Sequence, residues 1–296
     1  MAESPTAPES VGDIELLELP LFRRGKVRDT FDLGDRLLMV ATDRISAFDC
    51  VLQDLIPHKG VVLTQMSKHW FRKTQDLVPN HLLPDDPPSV PGLPPAYWER
   101  TMLVRRAERV DIECVVRGRL AGSGWVEYQE RGTLADEPLP PGLVFGQELP
   151  DLRFTPATKN DEGHDENISR SRLGQLVGVE LGRRLEELSL RLFRLARVQC
   201  QDAGFILVDS KFEFGFIEGQ LCLIDEVLTP DSSRLWEVGA EAEAQPHGFD
   251  KQPVRDYLIS TGWDRRPPAP RLPQQLIQDT SRRYQEAARR VTKSDS

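Results

Sequence analysis

The sequence predicts a chain of mixed helix and strand, on three observations. Residues 37–41 (Leu-Leu-Met-Val-Ala) are a short continuous apolar run, the signature of a buried strand. Leu181, Leu185, Leu188, Leu192 and Leu195 recur at alternating spacings of four and three, which keeps them on one stripe of a helix. Phe212, Phe214 and Phe216 alternate with Lys211 and Glu213, the two-residue period of a strand with one buried face.

Taken in order, residues 1 to about 14 read as a loose tail and residues 16–40 as β-rich, with Gly25 and Gly34 at turns. Residues 61–78 read as a helix with Leu63, Met66, Trp70 and Phe71 near one face. Seven prolines between Pro79 and Pro95 exclude a helix there and leave a stiff connector or a surface loop. Residues 102–104 and 112–116 read as strands, and the Gly/Pro-rich stretch 132–160 as one long loop. A single helix is expected over 171–202, with Gly204 as its stop. Strands are expected over 205–209, 211–217 and 221–225. Four prolines between Pro267 and Pro273 precede a last helix near 279–291, with Asp279 and Thr280 as its cap.

Composition narrows the function classes. The 296 residues carry 38 Lys and Arg against 47 Asp and Glu, a net charge of −9, and 39% are hydrophobic. That is the composition of a folded domain rather than a disordered one. The acidic balance argues against a general nucleic-acid binder. No apolar run approaches the roughly 20 residues that span a bilayer, and residues 1–9 lack the features of a secretory signal. Cys50, Cys114, Cys200 and Cys222 are far apart with no CxxC, which fits buried thiols in a reducing cytoplasm. The histidines form no zinc pattern. Residues 265–296 hold eight basic and three acidic residues, a basic segment on an otherwise acidic chain.

Six polar segments carry the chemistry. In residues 206–217, Asp209, Lys211 and Glu213 share the strand face opposite the phenylalanines. If Glu218, Gly219 and Gln220 form a three-residue loop, Glu213 faces Asp225 on the next strand. A two-residue loop would shift that pairing by one position. Facing carboxylates repel, so such a pair calls for a cation, a shared proton or ample water. Mg²⁺ suits the first case, because it is held by one or two carboxylates plus substrate phosphates. An ordinary solvated face is the alternative. Gly25, Lys26, Val27 and Arg28 form a loop that can cover nucleotide phosphates, or an ordinary turn. In residues 113–125 a strand runs into a loop with Arg117, Arg119, three glycines and Ser123, which suits an anion or, equally, a glycine-rich turn with exposed arginines. Residues 229–234 add Asp231 and Arg234. Residues 43–49 and 156–165 are polar clusters that, taken alone, read first as capped turns and second as part of a site. No nucleophile motif is present. Acidic pair, lysines and arginines together describe phosphate and carboxylate handling with Mg²⁺.

These six segments, in their order along the chain, resemble the SAICAR synthetase family. The matching residues are 25–29, 43–49, 113–119, 121–123, 159–161, 209–215, 225–226, 230–234 and, as in the longer form of the family, 249–257. The resemblance implies an α+β fold. A small β-rich N-terminal lobe (15–110) would precede an ATP-grasp-like lobe with C-terminal helices (111–296), with ATP in the cleft between lobes. It implies a cytoplasmic ligase of purine biosynthesis that joins L-aspartate to the carboxylate of CAIR (carboxyaminoimidazole ribonucleotide). SAICAR, ADP and phosphate are the products, and an acyl phosphate is the expected intermediate. It implies Mg²⁺ on Glu213 and Asp225, and ATP contacts at Gly25, Lys26, Val27, Arg28, Arg106 and Glu213. Lys211 and Asp209 would be catalytic. Arg117, Ser123, Arg234 and Asp231 would hold the CAIR ribose phosphate. Asp43, Arg44, Ser46, Asp49, Lys159 and Asp165 would line the substrate cleft. The implied partners are small molecules, without nucleic acid or membrane, and the oligomeric state is left undecided. A small-molecule kinase and a non-catalytic nucleotide sensor would use many of the same residues. Aspartate dependence and ADP release distinguish them.

Overall fold

A computed structural model describes residues 10–14, 19–84, 89–159, 167–240, 246 and 248–293. The chain divides into two compact units. The first takes Met1–Arg72, His81–Ala107 and Phe249–Lys293, and the second includes Lys73–Asn80 and Glu108–Gly248. The C-terminal helices thus belong with the N-terminal strands, where a break at residue 110 would have grouped them with the second lobe.

The first unit begins with an antiparallel sheet in the order β1-β2-β3-β6, from β1 (Leu21–Arg24), β2 (Arg28–Asp32), β3 (Arg36–Ala41) and β6 (Thr101–Arg105). The apolar run 37–41 is β3, whose last four residues are buried. Residues 10–14 are not a loose tail: Val11 and Ile14 are buried with Phe31, Leu38, Val40 and Leu103. The hairpin of β4 (Arg44–Ala47) and β5 (Cys50–Leu55) follows β3, and α1 (Lys59–Thr74) follows the hairpin. On β4, Ile45 and Ala47 face a core and Ser46 lies on the other side, half-buried. Gly60, in the first turn of α1, lies against β3. A Cβ there would sit 2.4 Å from the Ala41 carbonyl oxygen and 2.5 Å from the Arg100 guanidinium.

The second unit is built on β13 (Phe205–Ile217). Its first half pairs with β8 (Ile112–Arg119) and with β15 (Ser233–Glu237). Its second half pairs with β7 (Glu108–Arg109) and β14 (Gln220–Ile224). Phe212 and Phe214 are fully buried and Phe216 half-buried. The connection after β8 is α2 (Gly122–Arg131), which the sequence did not disclose. Stretch 132–160 is no single loop. It contains the small hairpin of β9 (Thr133–Leu134) and β10 (Glu137–Pro138), then β11 (Glu148–Phe154) and β12 (Ala157–Thr158), both paired with β8.

The expected helix over 171–202 is two: α3 (Arg170–Val177) and α4 (Val179–Asp202). Gly178 separates them at φ 87° and ψ 146°, a conformation closed to other residues without strain. The leucine stripe survives on α4, with Leu185, Leu188 and Leu192 buried. The chain then returns to the first unit with α5 (Gln252–Ser260) and α6 (Gln274–Lys293). Pro253 lies in the first turn of α5, where its missing N–H is not needed. The last helix begins directly after Pro273, five residues before the expected cap. Asp279 is inside it and pairs with Arg282. Val254, Leu258, Leu272 and Ile277 from this return segment pack with Ile45, Leu52 and Ile56.

Candidate functional site

In the first unit the β1–β2 turn presents Gly25, Lys26 and Val27. The Gly25 N–H donates to the Arg28 carbonyl oxygen at 2.7 Å, and a Cβ on Gly25 would come within 2.9 Å of that oxygen. Glycine is therefore required for so tight a turn. Val27 is buried and its carbonyl accepts from both the N–H and the hydroxyl of Thr42. Arg28 opens β2 and is half-buried. Lys26 extends from the turn and its ammonium lies 2.5 Å from Oδ1 of Asp49. Asp49 follows Phe48 in a turn where both residues have positive φ, 52° and 61°. That pair closes the β4–β5 hairpin in the sense the strand twist favours, at the cost of two non-glycine residues in a left-handed conformation. Arg106 is held at the sheet edge by the Gly34 carbonyl oxygen at 2.8 Å and by the Asp32 carboxylate.

Two residues expected in the substrate cleft are structural instead. Asp43 is fully buried. Its carboxylate accepts from the backbone N–H of Val11 at 2.7 Å and of Gly60 at 2.8 Å, and from Arg100 Nη1 at 3.1 Å. Arg44 is buried with all five guanidinium N–H groups committed. They go to the carbonyls of Gly12, Gly25 and Lys26 and to both oxygens of Asp29. Arg44 holds the Gly25–Lys26 turn from behind and has no donor left for a ligand.

In the second unit the charged face of β13 carries Asp209, Lys211 and Glu213 as the alternation requires. Asp209 stands opposite Arg117 of β8 on one side and Arg234 of β15 on the other. Its Oδ2 accepts from Arg117 Nη1 at 3.4 Å and from Arg234 Nη1. Arg117 lies on a strand, not on the loop expected after it, because β8 runs on to Arg119. It also donates from Nε to the Thr155 hydroxyl and from Nη2 to the Ser123 hydroxyl, both at 3.0 Å. Burial pulls its pKa below the ordinary arginine value, and the Asp209 charge opposes that pull. Ser123 sits in the first turn of α2, so the N-terminal N–H groups and partial positive charge of that helix adjoin the two guanidiniums. Asp231 belongs to the turn before β15, where its N–H donates to the Thr229 hydroxyl at 3.2 Å.

The far end of the same face is acidic. Lys211 donates to Glu113 Oε1 at 2.8 Å, and Lys159 is ion-paired with Glu213. The β13–β14 loop has two residues, Glu218 and Gly219, both at positive φ (52° and 77°). Glu213 therefore stands opposite Ile224 rather than Asp225. Asp225 follows the end of β14 at φ 64°, yet its charge still reaches Glu213. Burial first and the Asp225 carboxylate second push the Glu213 pKa up to about 7, while Lys159 draws it down. Among the described residues no set of three or more His, Cys, Asp and Glu forms a metal cage. A buried carboxylate destabilised by a second one fits a divalent cation that takes its remaining ligands from phosphate and water.

Asp165 and residues 160–161 lie outside the described residues. Sequence reasoning placed Gly122 and Gly124 in an anion-binding loop but passed over Glu113 and Thr155 as partners in the site. Alternation along β8 places Glu113 with Arg117 and was the available signal for the first. Thr155 has none, because its role depends on a neighbour from a distant strand.

The model of the family described as SAICAR synthetase matches residues 21–270. Phosphoribosylaminoimidazole-succinocarboxamide synthase of Elusimicrobium minutum is 47% identical over 284 residues, 94% of this chain and 97% of that protein. Among solved structures, the Saccharomyces cerevisiae SAICAR synthase complexed with SAICAR superposes with a TM-score of 0.83. It is 38% identical and covers 96% of this chain and 98% of that one. A SAICAR synthetase in complex with ADP gives a TM-score of 0.62 at 26% identity, over 86% of this chain and 100% of that one.

Proposed function

The chain belongs to the SAICAR synthetase family, and on that premise we propose how its residues serve the family's reaction, the ATP-dependent joining of L-aspartate to CAIR in purine biosynthesis. One observation carries the assignment of roles. A single strand face holds a guanidinium pair at Asp209, then Lys211, then Glu213, whose charge is coupled to Asp225 just beyond the neighbouring strand. Four residues separate Asp209 from Glu213, about 13 Å along a strand. A nucleotide substrate could thus be anchored by its phosphate at one end and react at the other.

Arg117, Arg234 and Ser123 bind the ribose phosphate of CAIR. Two guanidiniums at a helix N-terminus suit a dianion. Lys211 adjoins the reacting carboxylate and steadies its charge. Glu213 and Asp225 would hold Mg²⁺, and Lys159, paired with Glu213 here, would then be available to anionic substrate. Bound Mg²⁺ would offset the repulsion between the ATP phosphates and an anionic substrate. In the first unit Gly25, Lys26, Val27 and Arg28 cover the ATP phosphates, Arg106 flanks the nucleotide, and Ser46 and Asp49 contact L-aspartate. The CAIR carboxylate oxygen attacks the γ-phosphorus of ATP and the bond to ADP breaks. The aspartate amine then attacks the acyl carbon, phosphate leaves, and the nitrogen gives up a proton. Four buried free thiols accord with a reducing compartment, and the cytoplasm is the proposed location.

The test is incubation with Mg-ATP and CAIR, with and without L-aspartate, following ADP and SAICAR together. Aspartate-dependent formation of both is expected. Equal ADP without aspartate, and no amide, would overturn the ligase. For the intermediate, ATP labelled with ¹⁸O at the β,γ bridge should scramble its label with CAIR alone. Retention of the label during ongoing turnover controls would favour a concerted path.

A further inference from the structure

The proposed phosphate site contains a carboxylate, which at first sight opposes anion binding. Asp209 is only 8% exposed. Its position is fixed by register: it stands opposite Arg117 on one neighbouring strand and Arg234 on the other. The same oxygen accepts from both guanidiniums. Without an anion between them, the buried Arg117 and half-buried Arg234 guanidiniums would repel one another. With Asp209 between them the cluster keeps a net charge of about +1, so a dianionic phosphate is still attracted.

A second device fixes the same two side chains from the other direction. A Cβ on Gly122 would lie 2.6 Å from Arg234 Nη2 and 2.8 Å from Nη1, and its φ is +56°. A Cβ on Gly124 would lie 3.3 Å from Arg117 Cδ and 3.4 Å from Nε. Two glycines in the first turn of α2 therefore seat two arginines against bare backbone. Arg117 differs from Arg44 in one decisive respect. Three of its five N–H groups have partners among the described residues, leaving one on each terminal nitrogen.

Resting on the phosphate assignment above, we infer that Asp209 is a positioning residue, not a catalytic one. Together with Gly122 and Gly124 it holds the Arg117 and Arg234 guanidiniums in the spacing that selects a phosphomonoester substrate over its nucleoside.

Steady-state kinetics of the full chain tests this with Asp209→Asn, Gly122→Ala, Arg234→Ala and the Asp209→Asn/Arg234→Ala double variant. Each single change should raise KM for CAIR about ten- to hundredfold, the range for losing a charge-assisted contact. KM for ATP and kcat at saturating CAIR should stay within about threefold. The double variant should be no worse than Arg234→Ala by more than about threefold, since both changes disable one clamp. The dephosphorylated CAIR nucleoside, used as a competitive inhibitor, should bind wild type and Asp209→Asn equally. A hundredfold fall in kcat for Asp209→Asn with an unchanged KM for CAIR would make Asp209 catalytic and overturn the inference. Impairment in Arg234→Ala but normal KM values in Asp209→Asn and Gly122→Ala would overturn the positioning role alone. A normal KM for CAIR in Arg234→Ala would remove the phosphate reading and the inference with it. Should Asp209→Asn fail to fold, Gly122→Ala decides the matter, because it moves Arg234 without removing any charge.

Discussion

Arg44 and Arg117 are both buried guanidiniums beside a carboxylate, and the number of committed donors separates their roles. Arg44 has none left and links the Gly25–Lys26 turn to Asp29. Arg44→Ala would leave Asp29, which is 0% exposed, as a buried charge without its main partner. A destabilisation of about 3–5 kcal/mol is expected, read from the urea midpoint. Lys26 makes the opposite case. Its pair with Asp49 is half-exposed on both sides, so Lys26→Ala should change stability by less than about 1 kcal/mol. Its KM for ATP should nevertheless rise at least tenfold. An unchanged KM would take Lys26 out of the ATP phosphate contacts. Glu213→Gln belongs at this scale too. Wild-type protein should gain thermal stability from Mg-ATP beyond that from ATP alone, and the variant should lose that difference, whether or not it turns over.

At the scale of elements, close approach sets the constraints. The start of α1 is seated on β3 through Gly60, whose Cβ would overlap both a backbone oxygen and Arg100. Gly60→Ala should cost more than the roughly 1 kcal/mol that separates these residues by helix propensity, and with the opposite sign, since alanine is the better helix former. Thermal unfolding checks it, with Gly132→Ala at the end of α2 as a contrast. That position has open space and φ 69°, so only local backbone strain applies. The amphipathic α6 gives a second element-scale expectation. Tyr284, Ala287, Ala288 and Val291 are buried within the first unit, so Tyr284→Ala should lower stability by about 3–5 kcal/mol, as large aromatic deletions do.

For the whole molecule, all four cysteines are buried and free. Burial pushes the Cys200 thiol up to about 12, and Cys114 is raised as well, by burial foremost. In the unfolded chain such thiols ionise near 9. Above that pH the native state therefore binds more protons than the unfolded state, and stability falls as pH rises, by about 1.4 kcal/mol per unit for each such thiol. Denaturant titrations from pH 8 to 11 should show this limb, and Cys200→Ala should flatten it. A thiol reagent at neutral pH should label the protein only at the rate of unfolding.

Features with local periodicity can be read from the order of amino acids alone. The β3 run, the α4 stripe, the division of β13 into a phenylalanine face and a charged face, and the ordered motifs were all legible, because each depends on residues a few positions apart. The sequence also supplied nearly every charged side chain of the candidate site. What those side chains do follows from the partners that folding brings to them. Arg117 and Asp209 are 92 positions apart, and Asp43 and Arg100 are 57 apart. Whether a buried guanidinium keeps a free donor depends on carbonyls and carboxylates brought from such distances, and no local pattern encodes them. The same holds for the one-residue shift of Glu213 against Asp225, set by a two-residue turn with both residues left-handed. It holds for the C-terminal helices, whose apolar faces match the β4–β5 hairpin only once the chain has folded back to the first unit.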